Sequence, residues 1–168
     1  LAQLPDPQPA WAQQYDRHMQ PVWSRAFEPP AITGGESHGV TRALLHLYQY
    51  TGEKKYLQPI PAAIAYLRRS RLDDGRLARF YELKTNRPLY FERDRDGRHQ
   101  LTYSDKRLPD HYGFIIDGDL DDIEDDYQRL AKMNAEELAA SRRSRPPRLS
   151  NSLQELAAKV IVGQVGRG

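Results

Sequence analysis

The chemistry open to this sequence rests first on arginine. Of its 25 basic residues 19 are arginine and six are lysine. The guanidinium fork grips a carboxylate or phosphate through two N–H groups at once. Nine arginines lie between Arg68 and Arg98 together with Lys84 and six acids, a local net charge of +4. The opposite charge collects from Asp117 to Asp126, where seven of ten residues are acidic. The first stretch suits an anionic ligand and the second a cation, although a solvated surface is the simpler explanation of each run.

Other chemistries find less support. The chain has no P-loop, no G-x-G-x-x-G, no G-x-S-x-G and no H-E-x-x-H. With no cysteine there is no disulfide, thiolate zinc site or cysteine nucleophile. His18, His38, His46, His99 and His111 lack metal-ligand spacing, and His46 falls on an amphipathic helix pattern. Glu92, Asp94, Asp96 and Gly97 imitate the start of an EF-hand loop, but its closing position is Tyr103. Asp117, Asp119 and Asp121 alternate in the same way, yet Asp122 replaces the needed glycine and Gln128 the closing acid. Phe80, Tyr81, Tyr90 and Phe91 interleave with arginines as in a nucleic-acid surface, but a net charge of +2 and the acidic run argue against a polyanion of that kind. An acidic polysaccharide fits better, because it needs sparse cationic grips and aromatic faces, and ten tyrosines and two tryptophans supply the latter. The residues by themselves lead as far as a binder of an acidic ligand.

These side chains need a scaffold, and 168 residues allow one with a real core. No run of about 18 apolar residues is present, which excludes a membrane-spanning helix of the usual kind. The first ten residues are broken by proline and read as extended. A short helix is expected over Trp11–Arg17, an extended stretch over Val22–Phe27, and a turn at Thr33-Gly34-Gly35 with Ser37 as helix cap. Val40, Ala43, Leu44, Leu47 and Tyr48 recur at helical spacing and Gly52 marks the helix end. Ile60, Ala63, Ile64 and Leu67 predict a second helix ending at Ser70, antiparallel to the first. Helical pattern is lost from Leu72 to Asp117: Leu77–Leu83 is β-like, Lys84–Arg87 reverses the chain, Pro88–Phe91 returns, and Asp96-Gly97 turns into Gln100–Tyr103. Helix resumes with Leu120, Ile123, Tyr127, Leu130 and Leu138. A basic, proline-broken linker (142–150) precedes an amphipathic tail helix (151–168) opened by Ser152 and Glu155.

At three places the sequence resembles the pectate lyases of polysaccharide lyase family 10. The first is Pro9-Ala-Trp11-Ala-Gln13-Gln14-Tyr15-Asp16. The second is Arg25-Ala-Phe27-Glu28-Pro-Pro followed by Gly34-Gly35-Glu36-Ser37-His38-Gly39-Val40. The third is the hairpin Leu77-Ala-Arg79-Phe80-Tyr81-Glu82-Leu83-Lys84-Thr85-Asn86-Arg87-Pro88-Leu89-Tyr90. Order and spacing agree, over about Pro9 to Phe114.

The resemblance implies a mainly α fold, part of an (α/α) toroid-like helical module with a short β-hairpin and long irregular loops. It also implies calcium-assisted β-elimination on polygalacturonate outside the cytoplasm, extracellular or periplasmic, with residues 1–141 as the C-terminal part of the module and the calcium ligands upstream of Leu1. An arginine serves as base in this family, and Arg93 is its counterpart here, with Arg95 as the competing alignment. By the same carry-over Arg25 and Arg79 bind substrate carboxylates, with Arg87 and Glu36 as second choices that a purely structural role also explains. Trp11, Tyr81 and Tyr90 are stacking candidates, or aromatic core. One departure is plain: the family's arginine-arginine-threonine-glycine-tyrosine element is replaced by Arg107-Leu108-Pro109-Asp110-His111-Tyr112-Gly113-Phe114. The competing expectation is a non-catalytic module on the same scaffold, either an acidic-glycan binder or a self-assembling structural subunit.

Overall fold

The computed structural model describes residues 7–110, 112–118 and 120–144. The tail helix expected over 151–168 lies outside the described residues. In chain order the elements are β1 (Ala31–Thr33), α1 (Gly34–Thr51), a 3-10 turn (Lys54–Tyr56), α2 (Ile60–Arg69), β2 (Leu77–Ala78), β3 (Phe80–Glu82), β4 (Pro88–Arg93), β5 (His99–Thr102), β6 (Ile115–Ile116), α3 (Leu120–Lys132) and α4 (Ala135–Ser144).

Helix α1 is the hub, packing against α2, α3 and α4. Gly52 ends it in the left-handed region (φ 76°) and donates its N–H to the Tyr48 carbonyl at 2.7 Å. Its buried stripe is Ser37, Thr41, Leu44, Leu45 and Tyr48, whereas Ala43 and Leu47 from the expected stripe face solvent. Two small hydroxyl residues go inward because their polar groups are satisfied on the spot. Thr41 Oγ1 donates to the Ser37 carbonyl at 2.8 Å, and Ser37 Oγ exchanges hydrogen bonds with the Trp11 backbone. Ser37 is therefore no cap; the helix begins at Gly34, directly from β1.

Helix α2 buries Ile60, Ala63, Ile64 and Leu67 as its periodicity predicts, and Tyr66 with them. The stripe after Asp117 divides into α3 and α4 at Asn134. Its Oδ1 accepts the N–H groups of Glu136 and Glu137 at 2.9 Å each, while Glu137 Oε2 accepts the Asn134 N–H at 2.9 Å. That reciprocal capping box starts a new helix.

The mainly α toroid is not what forms. A four-stranded antiparallel sheet in the order β1-β3-β4-β5 and a β2-β6 pair stand beside the four helices, giving a mixed α/β domain among the described residues. Tight turns decide this. Lys84 and Asn86 hold φ of 72° and 59° between β3 and β4. Gly97 at φ 78° and Asp94, whose Oδ1 accepts the N–H of Asp96 at 2.9 Å and of Arg98 at 2.8 Å, turn β4 into β5. The hairpins present Phe80, Tyr81, Leu89, Tyr90 and Phe91, and these join the residues of α1 and α2 in one core. The expected helix over Trp11–Arg17 is likewise absent: Ala12 bridges Ile32 and Tyr15 bridges Pro21, so this stretch is drawn to the sheet edge.

Candidate functional site

Arg79 sits at the bend where the chain leaves β2 for β3. Its N–H bonds the Phe114 carbonyl at 2.7 Å and its carbonyl accepts the Gly34 N–H at 3.0 Å. Backbone from three separate stretches is thereby pinned at one point. Gly34 is required there, since a Cβ would lie 2.8 Å from the Ala78 carbonyl oxygen. The first turn of α1 then delivers Glu36, whose Oε1 is 3.2 Å from Arg79 Nη2.

From Arg79 the contacts continue. Its guanidinium lies 4.9 Å from the centre of the Tyr112 ring. Tyr112 donates its hydroxyl to Glu28 Oε1 at 3.0 Å. Glu28, only 3% exposed, accepts the Arg25 N–H on Oε2 at 3.3 Å, and Arg25 Nε stands 3.7 Å from the same oxygen. A continuous chain Glu36–Arg79–Tyr112–Glu28–Arg25 results, built from residues up to 87 positions apart.

Burial by itself pushes the Glu28 pKa up, but hydrogen bonds from Gln13, Tyr112, Ser24 and the Arg25 N–H outweigh it and hold the carboxyl below its ordinary range. Burial raises the Tyr112 phenol to about 12, with Arg79 opposing and Glu28 reinforcing the shift. Near neutral pH Tyr112 is therefore a neutral donor to a charged Glu28. Two guanidiniums face two acids. A carboxylate ligand has to compete with Glu36 for Arg79 or take the exposed fork of Arg25. The Arg79–Glu36 pair is also incomplete: Arg79 Nε and Glu36 Oε2 are buried without hydrogen-bond partners.

An aromatic wall borders the cluster. Phe27 lies 4.7 Å from both His99 and Tyr112, ring centre to ring centre. His99 pairs with Arg93 across β4 and β5, so both side chains leave the same face of the sheet. Arg93 donates Nη1 to the Gly97 carbonyl at 3.1 Å and is otherwise exposed, and Arg95 belongs to the turn beyond the strand. Arg87 is outside the cluster, stacked 3.5 Å over the Tyr103 ring, whose hydroxyl donates to Glu82 Oε1 at 2.7 Å.

Trp11, Tyr81 and Tyr90 are 2%, 1% and 3% exposed, so none offers a ring face to a ligand. Tyr81 donates to the Ser70 carbonyl at 2.6 Å and accepts the Ala78 N–H at 2.8 Å, tying α2 to the sheet. The signature turn is structural too. Gln8 accepts the Lys84 N–H at 2.6 Å and donates to the Glu82 carbonyl at 2.9 Å, and Asn86 donates to Ser70 Oγ at 2.8 Å.

Sequence reasoning missed Glu28 and Tyr112 as members of the cluster. Nothing local marks Tyr112, which joins it only through the fold, whereas Glu28, three residues after Arg25, had a signal in that proximity. The acidic run is used in packing: Asp121 and Glu124 of α3 both pair with Arg68 of α2, Asp121 at 2.7 Å. Among the described residues no group of three or more histidines, acids or cysteines is placed to hold a metal ion. No described helix is long and apolar enough to cross a membrane.

Residues 3–78 match the family model for pectic acid lyase. The match takes in Arg25, Glu28 and Glu36, stops one residue before Arg79, and bears out the resemblance carried by the first two motifs. No curated protein and no solved structure matches this chain.

Proposed function

We propose, from the pectic acid lyase segment at 3–78, that the chain acts on an acidic polysaccharide of the polygalacturonate type outside the cytoplasm. The observation that carries this reading is the convergence of Arg25, Glu36 and Arg79 around the Glu28–Tyr112 pair. Arg25 and Arg79 take uronate carboxylates, which withdraws charge from the carbon bearing the acidic proton. A base removes that proton, the electron pair forms a carbon–carbon double bond as the bond to the glycosidic oxygen breaks, and that oxygen takes a proton from water as it leaves. Arg93, on the face shared with His99, is the proposed base. An arginine does this only where its positive charge is suppressed, which calls for alkaline conditions and a second cation nearby. Calcium, implied by the resemblance, would add positive charge beside the uronate carboxylate and help acidify the proton to be removed.

The test is incubation of the protein with polygalacturonate and calcium at alkaline pH, following absorbance of the unsaturated product. Arg93→Ala should abolish the signal and Arg95→Ala should leave it; the reverse result reassigns the base. Binding of polygalacturonate without any product would replace the lyase reading by that of a glycan-binding module.

A further inference from the structure

The two tryptophans of the chain lie at opposite extremes: Trp11 is 2% exposed and Trp23 is 54% exposed. Trp23 is not loosely held. Its ring meets Phe91 edge to face at 6.1 Å and 78°, and Phe91, itself 2% exposed, is stacked against Phe114 at 6.3 Å and 25°. An indole oriented by a buried aromatic, with over half its surface in water, is a preorganised flat platform.

Its surroundings set the ligand class. Arg25 follows two residues later, with a side chain 68% exposed. Arg93 lies two residues beyond Phe91 on β4 and so leaves the same face of the sheet. An exposed aromatic face with an exposed guanidinium two residues along the chain matches a ring with an apolar C–H side and a carboxylate at its rim, which describes a hexuronate. A neutral sugar would leave Arg25 unused. A nucleic acid would also stack and pair, but the chain's net charge is only +2.

We propose that Trp23 is the stacking platform for one uronate ring of an acidic glycan whose carboxylate engages Arg25. This rests on the reading of the protein as acting on acidic polysaccharide and adds a ring-binding subsite to it. Because Trp11 is buried, solvent quenching of tryptophan fluorescence by acrylamide reports on Trp23.

The experiment titrates the protein with trigalacturonate, reading acrylamide quenching and, by calorimetry, affinity. The expected result is protection of the native protein from quenching, with affinity weakened about tenfold or more in Trp23→Ala and by less in Trp23→Phe. Thermal melts of both variants should match the native protein. Equal affinity of Trp23→Ala and native protein for trigalacturonate overturns the platform and leaves the polysaccharide reading standing. Absence of binding by the native protein overturns both. Tighter, salt-sensitive binding of a single-stranded DNA oligonucleotide assigns the surface to nucleic acid and also overturns the platform.

Discussion

Glu28 is the residue whose replacement most directly tests the logic of the site. Glu28→Gln keeps the shape and removes the charge. Two bonds of defined geometry depend on that charge, from Tyr112 at 3.0 Å and from the Arg25 N–H at 3.3 Å. A hydrogen bond to a charged group contributes about 1.5–3 kcal/mol against about 1 for a neutral pair, so the loss over two bonds is about 2 kcal/mol. For a chain of this size that lowers Tm by about 4–8 °C. The pH dependence has a definite sign. The folded-state pKa of Glu28 is held down, so its contribution is present above the unfolded value of about 4.3 and is lost as pH falls through the lower folded value. Thermal and urea melts of native and variant protein should therefore differ by a constant amount from pH 8 to about pH 5 and converge at lower pH. A difference that persists unchanged into acid, or no difference at pH 7, would refute the claim that a charged, hydrogen-bonded Glu28 organises Tyr112.

Three further outcomes are expected. Tyr81→Phe leaves the Ser70 carbonyl and the Ala78 N–H without their buried partner, at a cost of about 1–3 kcal/mol by denaturant melt, and leaves trigalacturonate affinity unchanged. Gly34→Ala forces a methyl to within 2.8 Å of the Ala78 carbonyl oxygen, so α1 and the Arg79 bend must separate; a loss of about 1–3 kcal/mol with weakened glycan binding follows. Burial raises the Tyr66, Tyr90 and Tyr112 phenols to about 12, so stability should be constant below the unfolded value of about 10 and decline above it as unfolding releases their protons, measured by melts from pH 8 to 11.

The local elements were largely legible. Gly52 and Asp96-Gly97 end or turn the chain where their backbone freedom predicts, and the α2 stripe is buried as spaced. Legibility fails where hydrogen bonding overrides hydropathy. Ser37 and Thr41 look polar and are buried, because the Trp11 backbone and a carbonyl one turn back satisfy them. Trp11–Arg17 carries a helical pattern but is claimed by β1. The toroid expectation came from resemblance, and local hairpin chemistry in 77–102 contradicts it in this chain. Of the site, Arg25, Glu36 and Arg79 were readable as residues, but the pair that joins them was not. Glu28 and Tyr112 are 84 positions apart and meet beside the point where the Arg79 N–H bonds the Phe114 carbonyl.

The charge balance of the cluster bears on what kind of ligand can hold it. Arg25 and Arg79 are each already engaged by an acid, Arg25 at 3.7 Å from Glu28 and Arg79 at 3.2 Å from Glu36. A single uronate gains little by exchanging one carboxylate for another at Arg79, since the attraction replaced is of the same kind as the attraction formed. A polymer is in a different position. On the proposed platform one unit would rest on Trp23 with its carboxylate on the exposed Arg25, and a further carboxylate of the same polymer would reach Arg79 at a raised effective concentration, which favours its exchange with Glu36. The proposed site would therefore discriminate by chain length more than by the identity of one sugar, and free galacturonate should bind far more weakly than trigalacturonate in the same titration.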